Sequence, residues 1–311
     1  MHTESIHKAY DIIGDVHGHG LLLEKLLLKL GYHFNGYNFA HPERQAIFCG
    51  DFIDRGHENI KALDIVMRMH AAGAALAIPG NHDLAFVQYH TTLPGKVDPI
   101  IPPNRHHEAL FRETLQEFRR EPKFMASYLE WIVKLPLFIE LPDLRVYHGY
   151  FQPAIQKQLT LNAKVMCYAD VLKNFSMLNP LADLITKSLS TKVEFTSDYG
   201  RIREKVRVKW WKTMPDEFSK DDLLLHNNPE LQNIKISSVD EQFKIHWSAY
   251  PEDEKPLFLG HFCITGPHGI MLPNLCIIDL CVIKTGRLAA YRYDGEKSLQ
   301  SEKIVFVNEA N

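Results

Sequence analysis

The chain has 311 residues, of which 45% are hydrophobic and 23% are charged, a composition typical of a globular protein with a full apolar core. This composition excludes a disordered chain, a collagen-like repeat and a coiled coil. The formal net charge of −3 disfavours a general binder of nucleic acids or membrane surfaces, because such proteins usually carry a basic excess.

The cysteines and the start of the chain predict a cytoplasmic protein. Five cysteines are present and no CxxC pair occurs, which fits reduced thiols better than the disulfide framework of a secreted protein. No positively charged segment precedes an apolar run at the start, so we expect no signal peptide. Charged residues interrupt the apolar stretch 21–30, which is too short to span a bilayer, so we expect no membrane partner.

Short apolar runs that end abruptly in polar residues recur along the chain. Such runs are typical of buried strands, and a Gly before the polar residue permits a tight turn and a close approach of the backbone to a ligand. In layered α/β folds, functional sites gather at the carboxyl ends of strands, so we expect these ends to converge. The five runs end at Asp15, Asp51, Asn81, His148 and His261.

Helical patterns separate the first three of these strands. Apolar residues at helical spacing predict helices over 21–30 and 59–72, so the chain up to about residue 83 has the order strand, helix, strand, helix, strand. Near the other end, the apolar runs 275–283 and 286–295 predict an antiparallel strand pair joined by a tight turn.

Two long segments lie between the strand ends. Residues 84–135 are predicted to be mainly helical, and residues 152–245 form an insertion that begins with a helix-like stretch. No flexible linker and no internal repeat divides the chain, so we expect one domain over 1–311. We expect both segments to cap the site and to select the substrate, although neither identifies that substrate.

The polar residues at the strand ends suit a pair of divalent metal ions. Oxygen donors alone favour magnesium or calcium, whereas added imidazoles favour manganese, iron, zinc or related ions. Asp51 is the candidate to bridge the two ions, because a carboxylate has two oxygens with spare lone pairs. The candidate ligands are Asp15, His17, Asp51, Asn81, His148 and His261.

Five sequence blocks resemble a known family. GDVHG at 14–18, GDFIDRG at 50–56 and GNHD at 80–83 are similar to the signature blocks of the phosphoprotein-phosphatase branch of calcineurin-like metallophosphoesterases. This branch includes Ser/Thr phosphatases and symmetrical diadenosine tetraphosphate hydrolases. HG at 148–149 and GH at 260–261 match the two downstream histidine motifs of the family, in the same order.

The resemblance implies an α/β (α+β) fold in which two mixed sheets pack face to face as a β-sandwich, flanked by helices, with a helical cap. It also implies a dinuclear centre in which Asp15, His17 and Asp51 hold one ion, and Asp51, Asn81, His148 and His261 hold the other. His82 is then the general acid, Asp54 its orienting partner and Arg55 a ligand of the phosphate oxygens. We expect manganese as the favoured ion, with iron, zinc, nickel or cobalt as alternatives.

The sequence departs from the family pattern at two positions. Asp83 occupies the position at which the third block normally ends in Glu. We expect this position to have a structural role, so the replacement of Glu by Asp leaves the predicted reaction class unchanged. Cys263 stands where many wider metallophosphoesterases have a further histidine ligand. We interpret Cys263 as a core thiol, with a thiolate ligand as the lesser alternative.

The stretch 201–210 has five basic residues that alternate with other residues, which places them on one face of a strand. They form either a solvated edge strand or a basic wall beside the phosphate site. Arg207 is the candidate for a second phosphate-binding arginine. Trp210 and Trp211 are interpreted as core residues rather than as a stacking platform for a nucleobase.

Together these features predict a metal-dependent enzyme that hydrolyses phosphate monoesters by means of a hydroxide activated by two metal ions. A phosphoprotein phosphatase is the favoured interpretation, and a dinucleoside polyphosphate (diadenosine tetraphosphate) hydrolase is the alternative. The expected partner is a phosphorylated protein or a nucleotide, and one basic strand supplies too few contacts for nucleic acid. A phosphate or nucleotide sensor without turnover is a third hypothesis, which the presence of His82 and Asp54 disfavours.

Overall fold

The computed structural model describes residues 9–197, 200–224, 235–239, 242–266 and 269–309. The strands are β1 (Ala9–Ile13), β2 (His33–Phe34), β3 (Phe39–Ala40), β4 (Arg44–Phe48), β5 (Ala75–Ala77), β6 (Ile139–Glu140), β7 (Arg145–Tyr147), β8 (Thr160–Leu161), β9 (Lys164–Val165), β10 (Ser190–Ser197), β11 (Gly200–Val208), β12 (Leu223–Leu224), β13 (Lys235–Val239), β14 (Leu257–Leu259), β15 (Ile270–Leu272), β16 (Leu275–Ile277), β17 (Arg287–Tyr293) and β18 (Ile304–Asn308). The α-helices are α1 (Gly20–Leu30), α2 (Asn59–Ala71), α3 (Asn81–His90), α4 (Arg105–Leu110), α5 (Arg112–Phe118), α6 (Pro122–Ile132), α7 (Pro153–Gln158), α8 (Tyr168–Lys173), α9 (Phe175–Lys187) and α10 (Val282–Thr285).

Two mixed five-stranded sheets form the centre of the fold. The first has the strand order β18-β17-β1-β4-β5, in which β1, β4 and β5 are parallel and β17 is antiparallel to β1. The second has the order β15-β16-β14-β7-β6, in which β16, β14 and β7 are parallel. The predicted alternation of strands and helices up to residue 83 is therefore confirmed, because α1 and α2 connect the three parallel strands of the first sheet.

The two sheets pack face to face through one apolar layer. Side chains from β1 and β4, such as Ile12 and Ile47, share a buried cluster with Val146 and Phe258 of the second sheet. The neighbouring residue Ile13 points the other way, into the larger cluster that includes the buried faces of α1 and α2. This alternation along β1 satisfies both faces of the sheet and produces the predicted sandwich with helices outside.

The predicted strand pair at residues 275–295 is wrong. Strands β16 and β17 lie in different sheets, because the chain leaves β16 and crosses the edge of the sandwich before it enters β17. The crossing is fixed by the amide of Ile278, which donates to the carbonyl of Leu259 (2.8 Å), and by Asp279, whose carboxylate accepts the amide of Cys281 (2.8 Å). The short helix α10 occupies the place where the sequence predicted a tight turn.

The two intervening segments differ in structure. Residues 84–135 are mainly helical as predicted, with α3 to α6. The insertion contains α7 to α9, but its second half is a four-stranded antiparallel sheet in the order β12-β11-β10-β13, so the expected helical cap is only partly helical. Its helix-like start is interrupted by the hairpin β8–β9, whose turn residues Asn162 and Ala163 have positive φ. In the part of the chain that the structure describes, no helix has the length and apolar character needed to cross a membrane. The single domain, the capping role and the cytoplasmic location stay predictions.

Replacing Arg44 with Met is expected to lower the free energy of unfolding by about 3 kcal/mol. Arg44 is buried between strands, where its guanidinium pairs with Asp11 (Nε to Oδ2, 3.0 Å) and Asp294 and donates to the carbonyl of Tyr10 (2.7 Å). The substitution leaves the negative charge of the Asp11 carboxylate buried without the positive charge of Arg44 beside it. Denaturant unfolding measures the loss.

The matched control is Arg68→Met on the surface of α2. Its guanidinium pairs with Asp64 (2.7 Å), but both side chains are more than 40% exposed. An exposed pair of this kind contributes roughly 0.3–0.5 kcal/mol. Equal losses for the two variants would contradict the structural role assigned to Arg44.

Candidate metal centre and active site

The five strand ends meet at one edge of the sandwich. Parallel pairing places the carboxyl ends of β1, β4 and β5 side by side, and those of β7 and β14 lie next to them. Backbone hydrogen bonds join these ends: the amide of His17 donates to the carbonyl of Asp51, and the amide of Gly260 to that of His148, both at 2.9 Å. The non-glycine residues with positive φ here include His17, Asp51, Asp54, Arg55 and His261. Such conformations are uncommon and cluster at functional sites.

Two glycines allow the backbone to approach the carboxylates. A Cβ atom added at Gly80 would overlap the carboxylate of Asp51, and one added at Gly260 would overlap that of Asp15. Gly80 has φ −97°, which any residue can adopt, so space rather than backbone freedom requires glycine there. The glycines that precede Asn81 and His261 in the sequence therefore serve close packing around acidic groups.

Asp51 lies at the centre of the site. Its Oδ2 is 3.7 Å from Nε2 of His17 and 3.4 Å from Nε2 of His148, and its Oδ1 accepts the amide of His82 (2.8 Å). Burial alone would raise the pKa of this carboxyl group, but the surrounding imidazoles hold its pKa well below the usual range. Two groups that share Asp51 have ligand atoms within 4.8 Å of one another: one adds His17 and His82, and the other adds His148 and His261.

Hydrogen bonds fix which nitrogen each candidate imidazole presents to the site. Nδ1 of His17 lies 3.0 Å from the carbonyl of Ile53, and Nδ1 of His148 lies 2.7 Å from that of Cys49. Nε2 of His261 lies 2.9 Å from the carbonyl of Lys187. Because a carbonyl only accepts, these nitrogens carry the proton, and the opposite nitrogens can present a lone pair. Burial lowers the pKa of His17 to about 3 and that of His261 well below its usual range, which favours neutral rings.

Asp15 has an uncompensated buried oxygen. Its Oδ2 accepts the amide of His261 (2.9 Å), whereas its Oδ1 is buried and has no hydrogen-bond partner among the described residues. Burial and the nearby carboxylates of Asp279 and Asp51 raise the pKa of Asp15 well above its usual range. A cation would satisfy this oxygen, and the mixed carboxylate and imidazole donors suit a divalent transition metal, so the residues fit such an ion.

Asn81 begins α3 and is the remaining ligand candidate. Its Oδ1 lies 3.3 Å from Nε2 of His148, beside Asp51. All six candidate ligands are therefore at this edge, although Asp15 lies outside the two groups of imidazoles and carboxylates that share Asp51. The assignment of each residue to one ion or the other stays a prediction.

His82 is held by a chain of hydrogen bonds that ends in α5. Its Nδ1 lies 2.7 Å from Oδ2 of Asp54, and Oδ1 of Asp54 accepts the hydroxyl of Thr114 (2.6 Å). Burial lowers the pKa of His82, but Asp51 and Asp54 outweigh this effect and raise it above the usual value. The ring is therefore oriented and favoured in its protonated form, as a proton donor requires. Thr114 was missed by the sequence analysis, since nothing distinguishes it from other threonines on a helix.

Asp83 connects three parts of the structure. Its carboxylate accepts the amide of Gly80 (2.8 Å), the amide of Phe52 (3.2 Å) and the hydroxyl of Tyr128 (2.8 Å). Burial and the neighbouring Asp51 raise its pKa to about 7. These contacts support a structural role for the position at which the sequence departs from the family pattern.

Four of the six candidate ligands, His17, Asp51, Asn81 and His261, line a cavity of about 210 Å³. Three cationic side chains line it, Arg55, Arg207 and Lys284, together with Asp279. Arg207 is mostly buried, and this burial lowers its pKa. The sequence analysis named Arg55 and Arg207 and missed the other two. Asp279 follows an apolar run, as the other acidic candidates do, whereas Lys284 carries no such signal.

The basic stretch 201–210 forms a strand as predicted, up to Val208, and among the described residues only its end is covered on the outer side. Strand β11 pairs with β10 along its length and also with β12 at Arg207 and Val208. Arg207 reaches the cavity, whereas Lys205 is exposed and lines a different depression. The side chains of residues 201 and 203 lie outside the described part. Of the basic residues in this stretch that are described, Arg207 is the one that lines the cavity. Trp210 and Trp211 are buried, which confirms their interpretation as core residues.

The expectation of five free thiols is wrong. Cys263 and Cys281 form a disulfide, with a Cα–Cα distance of 4.0 Å, whereas Cys49, Cys167 and Cys276 are free. The two paired residues meet because both of their amides donate to the carboxylate of Asp279. Spacing in the sequence could not reveal this pair, since the contact depends on the crossing loop after β16. A thiolate ligand at Cys263 is incompatible with the disulfide.

Comparison with known proteins identifies the family. A family model described as calcineurin-like phosphoesterase matches residues 10–261, which confirms the resemblance. A bis(5'-nucleosyl)-tetraphosphatase PrpE [asymmetrical] of Oceanobacillus iheyensis is 47% identical over 73 residues, which are 23% of this chain and 29% of that protein. The protein of the same name from Bacillus subtilis is 38% identical over 90 residues, which are 29% of this chain and 37% of that protein. The matches thus span about a third of these relatives.

A solved structure supports the fold. The cold-active protein-tyrosine phosphatase of a psychrophile, Shewanella sp., superposes with a TM-score of 0.50 at 18% identity, and the match covers 94% of this chain and 81% of that one. At this identity the likeness concerns the fold alone. It agrees with the predicted sandwich of two mixed sheets flanked by helices.

Proposed function

The chain belongs to the calcineurin-like phosphoesterase family, and on that premise we propose that it hydrolyses dinucleoside polyphosphates, with diadenosine tetraphosphate as the representative substrate. One observation carries the choice: Arg55, Arg207 and Lys284 line the cavity of the candidate metal centre. This is more positive charge than a single phosphate monoester requires. The names of the relatives in Oceanobacillus and Bacillus agree with this alternative rather than with the protein phosphatase that the motifs first favoured.

We infer that Asp15, His17, Asp51, Asn81, His148 and His261 would hold two divalent ions, with manganese preferred. When bound, such ions supply Lewis-acid polarisation of the phosphoryl group. The neutral imidazoles of His17 and His261 and the uncompensated oxygen of Asp15 support this assignment.

The protein's own groups then have separate tasks. The planar guanidinium of Arg55 binds phosphate oxygens with two parallel hydrogen bonds, and Arg207 and Lys284 neutralise the remaining phosphates of the chain. His82 donates from Nε2 to the leaving oxygen, while Asp54 holds the proton on Nδ1 and keeps the ring in one orientation. No covalent bond between enzyme and substrate is needed.

A direct comparison of substrates tests the proposal. Metal-stripped protein reloaded with Mn²⁺ is expected to cleave diadenosine tetraphosphate with a kcat/KM roughly 10²-fold above that for any member of a phosphopeptide panel. Chromatography of the nucleotides is expected to give ATP and AMP, the asymmetrical outcome. Metal-stripped protein without added ions is the control, and it should not turn over.

Other outcomes point to other functions. Preferential dephosphorylation of peptides would return the assignment to a phosphoprotein phosphatase. Retention of metal without hydrolysis of either substrate would favour the sensor hypothesis. Two equivalents of ADP as the products would keep the substrate class and change the position of cleavage.

A further inference from the structure

We propose that a second cavity, next to the catalytic one, binds a nucleoside end of the substrate. This inference rests on the proposed function and names a part of the site that the reaction itself does not require. The cavity has a volume of about 570 Å³, within the range of small-molecule sites. Its walls include His19, Leu21, Lys25, Arg55, His57 and Glu309.

The two cavities are adjacent, because Arg55 lines both. Gly56, which follows Arg55 and also lines the second cavity, lies directly against the carbonyls of His17 and Gly18, where a Cβ atom would not fit. A phosphate chain bound by Arg55 beside the metal ligands therefore has its far end next to the second cavity.

The chemistry of the walls suits a nucleoside. Leu21 is 52% exposed and offers apolar surface to the face of a base, and the exposed imidazole of His57 can stack on it. Lys25 and Arg55 complement the phosphates that precede the nucleoside. Glu309, whose Oε1 lies 3.3 Å from Nε2 of His19, offers acceptor oxygens for ribose hydroxyls or an exocyclic amine. An apolar side chain of a peptide would use the leucine but not these charged groups.

Two matched substitutions on α1 test the inference. Leu21 and Leu28 are 52% and 53% exposed on the same helix, but only Leu21 lines the cavity. With Mn²⁺ present, Leu21→Glu is expected to lower the ratio of kcat/KM for diadenosine tetraphosphate to that for p-nitrophenyl phosphate by about 10-fold, mainly through KM. Leu28→Glu should leave the ratio unchanged.

A second variant covers the case in which Leu21→Glu unfolds the helix. His57→Ala removes an exposed ring, and we expect it to reduce the advantage of ADP over inorganic pyrophosphate as an inhibitor of p-nitrophenyl phosphate hydrolysis. If wild-type protein cleaves the dinucleotide and all variants keep the same ratio and the same inhibition, the subsite is absent and the proposed function stands. If wild-type protein prefers phosphopeptides, the proposed function fails and the inference fails with it.

Discussion

Replacing Asp51 with Asn is expected to remove metal binding and turnover together, with a loss of activity on the order of 10³-fold or more. Asp51 contributes to both groups of candidate ligands, so one change affects the whole centre. The amide keeps the shape of the side chain and one acceptor oxygen. It removes the negative charge that lies between His17 and His148, and two acceptor oxygens are needed for a bridging role.

Metal content and activity of the same preparation measure this effect. Protein reloaded with Mn²⁺ is desalted and analysed for bound metal, and turnover of diadenosine tetraphosphate is then recorded. Asp64→Asn on the exposed face of α2 changes the net charge equally and should retain both metal and activity. If Asp51→Asn kept two equivalents of metal per chain, its central role would be wrong.

The strand ends could be predicted because their signals are local. An apolar run followed by Gly and a metal-ligand residue encodes both the buried strand and the turn that ends it, and parallel pairing then brings Asp15, Asp51 and Asn81 to one edge. The order of the blocks identified the family for the same reason. Neither step required knowledge of contacts between distant parts of the chain.

The features that were missed depend on contacts between distant segments. The hydroxyl of Thr114 donates to Asp54, which lies 60 residues earlier in the sequence. The sequence of the helix that contains Thr114 has no pattern that indicates this partner. The disulfide between Cys263 and Cys281 depends on the loop that follows β16, in which the carboxylate of Asp279 accepts the amides of both cysteines. The strand pair predicted after residue 275 failed because two neighbouring apolar runs can each join a different sheet, and periodicity alone does not choose between these arrangements.

In the insertion, residue periodicity predicted one strand but not the strands that pair with it. The alternation of basic with other residues predicted β11, and Arg207 lines the cavity as expected. The strands that pair with β11, namely β10 and β12, were not predicted. Pairing of β11 on both sides at Arg207 holds that side chain at the cavity. Arg207, which was predicted from the sequence, is therefore positioned by two strands that were not predicted.

Replacing His82 with Ala is expected to preserve bound metal and to reduce turnover of phenyl phosphate by roughly 10²–10⁴-fold, with a much smaller loss on p-nitrophenyl phosphate. Phenol, with a pKa near 10, is a poor leaving group that needs a proton, whereas p-nitrophenolate leaves without one. The hydrogen bond from His82 to Asp54 and the raised pKa of the ring support its role as donor. Asp54→Asn should reproduce the same dependence on leaving group more weakly, because it frees the ring without removing it.

The amount of bound metal decides between two roles for His82. The ring also belongs to the group formed with His17 and Asp51, whose ligand atoms lie within 4.8 Å of one another, so the geometry alone allows coordination. A general acid predicts unchanged metal content and a loss that grows with the pKa of the leaving group. A metal ligand predicts less bound metal and an equal loss on both esters. His106→Ala, on the exposed side of α4, is the control for removal of an imidazole and should change neither quantity.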